Sequence, residues 1–249
     1  MIRRHRATRG AGHVDLRGSS TQCSIAVYAV AMCGRFALYS AYLKFAHRVG
    51  ELRVDDPPLP RYNVAPGTWI SAILRRPDDP QLAFDDVWWG YKPKWAGEKA
   101  PAPINATVEK VATSRYYQAA FQKHRCLIAA DGWFEWLPGT KPKQPHFLCR
   151  EDREPFFFAG IWTERADGKP GVAILTEPAR GSAEEVHHRM PLILDDESLE
   201  LWLDPDLTDR DTVRRFVRHI SAEAITHWPV STRVNKPSDG NDEGLINPA

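Results

Sequence analysis

From residue 32 onward the chain is a succession of short apolar runs separated by turn residues. The runs 126–130, 155–162, 172–175 and 191–194 have strand length and are bounded by polar or turn-forming residues, as buried strands are. Helical spacing shows in 41–49 and again in 108–124, where Val108, Val111, Ala112, Tyr116, Ala119 and Ala120 recur along one face. Segments 195–203 and 209–220 read as two further helices, each opened by an Asp whose carboxylate can cap free backbone N–H groups. These elements do not alternate in βαβ fashion, which argues against a doubly wound sheet. The expected class is α+β: one domain with a curved, mostly antiparallel, barrel-like sheet flanked by helices. Twenty prolines spread between the elements fit short strands joined by irregular loops.

The first 31 residues break this pattern. Arg, Gly, Ser and Thr dominate up to Gln22, and a short apolar stretch, 24–31, follows. A basic start, a brief apolar segment and Ala-Val-Ala resemble a weak signal peptide, but Thr21-Gln22-Cys23 interrupt the approach. A lipoprotein signal would want a small residue before the cysteine, where Met32 stands. The reading adopted is that translation starts at Met32, so that 1–31 is an extension absent from the active protein; cleavage is the alternative. Residues 32–249 form the working domain.

Charge follows the same boundary. Residues 1–31 carry five Arg and one Asp, leaving 28 basic and 31 acidic residues in the remainder, a net of −3. Overall charge therefore does not recommend a nucleic-acid binder, and any such site must be a local basic groove. No apolar run approaches the roughly 20 residues needed to cross a bilayer, so no membrane association is expected. The four cysteines (Cys23, Cys33, Cys126, Cys149) include no CxxC pair. That favours a reducing compartment over a disulfide framework or a Cys-based zinc site; the reading adopted below adds the expectations of a cytoplasmic monomer and of no metal or organic cofactor.

Short segments carry the chemistry. They are Met32-Cys33-Gly34-Arg35-Phe36, Arg61-Tyr62-Asn63-Val64-Ala65-Pro66, Trp89-Gly90 leading to Pro93 and Trp95, Ile104-Asn105-Ala106, Asp131-Gly132-Trp133-Phe134-Glu135-Trp136, and His187-His188-Arg189-Met190-Pro191. In this order, with Pro229-Val230-Ser231 and Val234-Asn235 behind them, they resemble the SOS-response-associated peptidase (SRAP) family, also called the abasic-site-processing family. The resemblance covers nearly everything from Met32 to the C-terminus.

The resemblance implies that Met32 is removed and Cys33 becomes the amino terminus. Such a residue carries an α-amine and a thiol on adjacent carbons. The amine attacks the aldehyde of an opened abasic sugar to give an imine, and the thiol closes on that carbon as a five-membered thiazolidine. An internal Cys could form only a readily reversed hemithioacetal. The family pattern assigns acid–base catalysis to Glu135, sugar-ring opening or crosslink reversal to His187, and orientation of the reacting groups to Asn105. The expected partner is single-stranded DNA containing abasic sites, since duplex stacking would keep the aldehyde from a terminus in a pocket. Arg35 and Arg189 are the expected phosphate contacts, and Trp89 and Trp95 the expected base contacts. One departure stands out: where the family usually continues Asn-Ala-Arg-x-Glu, this chain has Asn105-Ala106-Thr107-Val108-Glu109, and a phosphate-contacting Arg is lost.

Two other classes stay open on the residues alone. A cysteine peptidase would use Cys33 as nucleophile with His187 as base and Asn105 or Glu135 in support. A non-catalytic single-strand binder would need only the groove. A DNA lyase lies between them, because an imine permits β-elimination.

Overall fold

The computed structural model describes residues 33–139, 141–237 and 242–249. The extension 1–31 lies outside the described residues. In chain order the strands are β1 (Phe36–Leu38), β2 (Arg53–Val54), β3 (Arg61–Val64), β4 (Trp69–Arg76), β5 (Asp79–Trp89), β6 (Asn105–Thr107), β7 (Arg125–Ala130), β8 (Gly132–Leu137), β9 (Gln144–Arg150), β10 (Phe156–Glu164), β11 (Pro170–Pro178), β12 (Arg189–Pro191), β13 (Ile193–Leu194) and β14 (Ile225–Pro229). The helices are short: α1 (Tyr42–Val49), α2 (Gln118–Lys123), α3 (Leu199–Leu203) and α4 (Arg210–Phe216). Strands outnumber helices and the class is α+β, as expected.

Among the described residues the strands make two sheets. The first runs β14-β9-β8-β1-β3, and the second β12-β11-β10-β7-β4-β5-β2 with β6 and β13 attached at its side. Pairing is mostly antiparallel. In the second sheet β5 also meets β11 in parallel, through Gly171↔Trp88 and Val172↔Trp89. That short contact bends five strands into a ring rather than a fully laddered barrel. Strands β7 and β10, in the middle of this sheet, are near-continuous apolar runs because both their faces are covered. Trp133 and Leu148 of the first sheet belong to the same main core as Phe158 and Ile128 of the second, so the inner faces pack on each other. A second, smaller core lies on the far face of the first sheet, around Phe134, Phe147 and Cys149.

Three expected elements differ, each because tertiary pairing captures part of the segment. Segment 108–124 is helical only at α2. Strand β6, just before the segment, pairs with β11, and Val108 N–H extends that pairing by donating to Thr176 O. Successive Tyr116 and Tyr117 then both pack on Tyr91, which a regular helix face would not allow. Segment 191–194 splits in two, because β12 pairs with β11 whereas β13 pairs with β10. Segments 195–203 and 209–220 keep their Asp caps, with Asp195 accepting from Ser198 N–H and Asp209 from Thr212 N–H. The second ends at Phe216, since Ile220 N–H goes to Ile193 O instead of continuing the helix.

Gly132 opens β8 beside β9. A methyl there would run into the Phe147 ring and meet the carbonyl oxygen of Leu148 at 2.7 Å. Gly132→Ala is expected to destabilise the protein by about 1–3 kcal/mol through overpacking, visible as a lowered thermal midpoint. Among the described residues no helix is long and apolar enough to cross a membrane.

Candidate active site

The site is assembled where β1 enters the first sheet. Phe36 lies opposite Trp133 and Ala37 opposite Gly132, and Phe134 N–H donates to Arg35 O at 3.0 Å. This register carries the start of the chain alongside β8, so that Cys33 arrives beside Glu135. Its backbone nitrogen donates to Glu135 Oε1 at 2.8 Å. Alternation along β8 explains why an acid is found here. Phe134 and Trp136 turn to the smaller core, while Trp133 and Glu135 face inward. Glu135 is 2% exposed.

Burial sets the protonation of both groups. Desolvation pushes the Glu135 carboxyl up to about 8, with the Cys33 N–H bond opposing it. The Cys33 thiol is fully buried and held well above its ordinary value, first by burial and then by the neighbouring Glu135. At neutral pH the thiol is therefore protonated.

Asn105 reaches the site from β6, its Nδ2 lying 3.5 Å from the carbonyl oxygen of Cys33. Strand β11 connects it to the remaining candidates: Asn105 pairs with Ile174 on one side, while Arg189 pairs with Pro178 on the other. His187 is half-buried. Its Nδ1 lies 3.1 Å from the N–H of Arg189 and 3.0 Å from its carbonyl. An Nδ1 without hydrogen accepts from the first, and an Nδ1–H donates to the second. Burial pulls His187 below its ordinary value, with the Arg189 carbonyl opposing, so the neutral form prevails at pH 7.

Cys33 thus touches both Glu135 and Asn105, and strand β11 ties β6, which carries Asn105, to β12 beside His187. Arg189 forms a two-pronged ion pair with Glu109 at 2.7 and 3.1 Å and also donates to Thr176 O at 2.6 Å. That pairing pushes the Glu109 carboxyl down to about 2. Arg35 donates to Asn63 Oδ1 and Val234 O, both at 2.9 Å, which binds three of the motif segments together. Trp95 is 66% exposed, as a base contact requires. Trp89 is a correction: its ring is fully buried against Phe36, with Nε1 donating to Ile104 O, so it cannot stack on a base. Glu109 and Thr176, which hold Arg189, escaped the sequence reading. The Glu of the Asn-Ala-Thr-Val-Glu segment was visible, but its partner across 80 residues was not.

The family model for the SOS response associated peptidase (SRAP) matches residues 32–237. The chain belongs to this family. Among SRAP relatives, abasic site processing protein YedK of Escherichia coli (strain K12) is 37% identical over 226 residues, covering 87% of this chain and 100% of that protein. Abasic site processing protein HMCES of Gallus gallus is 29% identical, covering 86% of this chain and 77% of its own. A solved structure of a phage-related protein from Bordetella bronchiseptica superposes with a TM-score of 0.66 at 30% identity, covering 80% of this chain and 95% of that one. A protein from Bacteroides thetaiotaomicron superposes with a TM-score of 0.70 at 21% identity, covering 87% and 100%, a likeness of SRAP fold alone.

Proposed function

We propose that this protein captures abasic sites in single-stranded DNA as a covalent, reversible thiazolidine, with Cys33 as its first residue. The observation that carries this reading is the 2.8 Å contact from Cys33 N to Glu135 Oε1. A buried carboxyl has little catalytic use beside an amide nitrogen, which is neither a useful acid nor a useful base near neutral pH. Beside a free α-amine it is an acid–base partner. The backbone supports the same reading: Cys33 has φ 39°, in the left-handed region that non-glycine residues seldom occupy. A residue with nothing before it has no φ to strain. The family match begins at residue 32 and leaves 1–31 outside it.

An α-amine has an ordinary pKa of about 7.7–8.0. Within hydrogen-bond reach of Glu135 the ammonium pulls the carboxyl down and is itself raised, so the two share a proton. In the reacting form the amine is neutral and Glu135 carries that proton. The amine adds to the sugar aldehyde and gives one proton to its oxygen. The resulting hydroxyl leaves as water with the proton of Glu135, and the carboxylate then takes the remaining N–H proton to leave a neutral imine. Sγ then bonds to the imine carbon. Because burial keeps the thiol neutral, its proton must leave as the C–S bond forms, and the imine nitrogen accepts it. Asn105 holds the Cys33 carbonyl during these steps, and His187 handles the proton of the opening sugar ring. Where ring closure is slow, the imine permits β-elimination, a lyase side reaction.

A cysteine peptidase has less support. The thiol is neutral, and among the described residues the His187 ring bonds to Arg189 rather than to Cys33. The proposed cellular role is a cytoplasmic monomer shielding abasic single strands. Exposed Trp95 is the base-stacking contact. Trp95→Ala is expected to weaken single-strand binding by about 1–3 kcal/mol in a fluorescence anisotropy titration while leaving the thermal midpoint in place. The decisive experiment mixes the chain begun at Cys33 with an abasic oligonucleotide and seeks a band that survives denaturation.

A further inference from the structure

Glu135 has a neighbour that the chemistry above does not use. Strands β8 and β9 run antiparallel with Glu135 directly opposite His146, so both side chains leave the sheet on one face, their Cβ atoms about 4.5–5.5 Å apart. His146 is buried, only 8% exposed. On the next strand, β14, His227 pairs with Leu148 and therefore lies diagonally from His146 on that same face. The Nδ1 atoms of the two rings are 3.0 Å apart. His227 Nε2 lies 3.4 Å from Glu185 Oε2, whose side chain is 72% exposed. Acid, imidazole, imidazole and acid thus form a row from the Cys33 site to solvent. The titratable groups facing His146 are Glu135 from β8 and His227 from β14, with Glu185 of the 3₁₀ turn Gly181–Glu185 behind His227. Its own strand adds only Gln144 and Leu148 on that face.

Two nitrogens 3.0 Å apart share one hydrogen, so the rings cannot both be imidazolium. Burial and the adjoining His227 hold His146 below the ordinary histidine value. When the hydrogen of His227 sits on Nε2, the atom nearest Glu185, its Nδ1 is a lone pair that accepts the Nδ1–H of His146. Nε2 of His146 is then a free base.

We propose that His146 is a positioning residue that passes protons between Glu135 and the surface, by way of His227 and Glu185. In one passage the O–H bond of Glu135 breaks as an N–H bond forms at Nε2 of His146, directly or through one water. The Nδ1 proton of His146 moves to Nδ1 of His227, and the Nε2 proton of His227 moves to the Glu185 carboxylate, which releases it to solvent. Both rings end neutral in the opposite tautomer, and the reverse passage restores them. This inference rests on the proposed reaction, in which Glu135 must load and shed a proton inside a pocket.

Two measurements test it. In the chain begun at Cys33, His146→Gln keeps a hydrogen bond to His227 but cannot relay. Its crosslinking rate is expected to fall about tenfold, less than the 10²–10⁴ of a direct acid–base group, with the final yield of adduct unchanged and the pH–rate profile displaced. Added imidazole is expected to restore the rate of His146→Ala without accelerating the unsubstituted chain. An unaltered rate and pH profile in His146→Gln would overturn the relay. The second measurement needs no reaction. In ¹⁵N-histidine NMR of the full chain, Glu135→Gln is expected to shift the ring resonances and titration of His146; unmoved resonances would overturn the relay. If that coupling is present but the unsubstituted chain forms no adduct, the proposed reaction fails and the proton path stands.

Discussion

A chain that begins at Cys33 is expected to form an adduct with abasic single-stranded DNA that survives denaturation, and the same chain with one extra residue before Cys33 is expected to form none. The contrast is all or nothing because it depends on bonding rather than affinity. With an amide nitrogen at that position, only sulfur can add to the aldehyde, and the hemithioacetal reverses when the protein unfolds. With an amine, carbon is held by nitrogen and sulfur together. The extra residue barely disturbs the pocket, since Cys33 N still donates to Glu135 at 2.8 Å in the chain that carries residues before it. Loss of the adduct can therefore be read as loss of the amine. Cys33→Ser, which keeps the amine, is expected to stop at an imine that borohydride traps and denaturation otherwise releases. Equal adduct from the extended and the trimmed chain would remove the basis of the reading.

Glu135→Gln carries the second large effect, and it acts in two ways. The amide keeps an oxygen to accept from Cys33 N but cannot move a proton, so the rate of adduct formation is expected to fall about 10²–10⁴-fold in a single-turnover time course. The same substitution changes how stability depends on pH. In the 249-residue chain burial pushes Glu135 up to about 8, against about 4.3 in an unfolded chain. The folded state then binds the proton more tightly than the unfolded state does. This contribution is complete below the unfolded value and is lost progressively as pH rises through the folded one, because ionisation inside the core is costly. Thermal melts at pH 6 and pH 9 are expected to show a loss in the native chain that Glu135→Gln escapes, a gap on the order of a few kcal/mol. In the chain begun at Cys33 the ammonium stabilises the carboxylate, and the gap is expected to narrow. Identical pH slopes for Glu and Gln would mean that the carboxyl is not held protonated.

Much of the site could be read from the sequence, for local reasons. Alternation along Trp133-Phe134-Glu135-Trp136 places the acid on one face and the flanking aromatics on the other. The Asp residues that open 3₁₀ and α segments were visible because a cap is decided within four residues. Trp89 and Trp95 mark the limit. Both are aromatic residues in one motif, yet one is fully buried and the other 66% exposed. Nothing in their immediate neighbours tells which ring lies under Phe36. The helix expected over 108–124 is shortened to α2 for a similar reason: its spacing was genuine, but the pairing of β6 with β11 runs up to its first residue, where Val108 N–H donates to Thr176 O.

Periodicity and motifs a few residues long were enough for the strand-rich class, the family, and the residue types that would do chemistry. Three contacts had to wait for the folded chain: Glu135 meeting the nitrogen of Cys33 rather than its thiol, Glu109 holding Arg189, and two histidines 81 positions apart sharing a hydrogen. Those contacts depend on strand register, where a slip of one residue reverses every side chain, and register is set by packing across the whole domain.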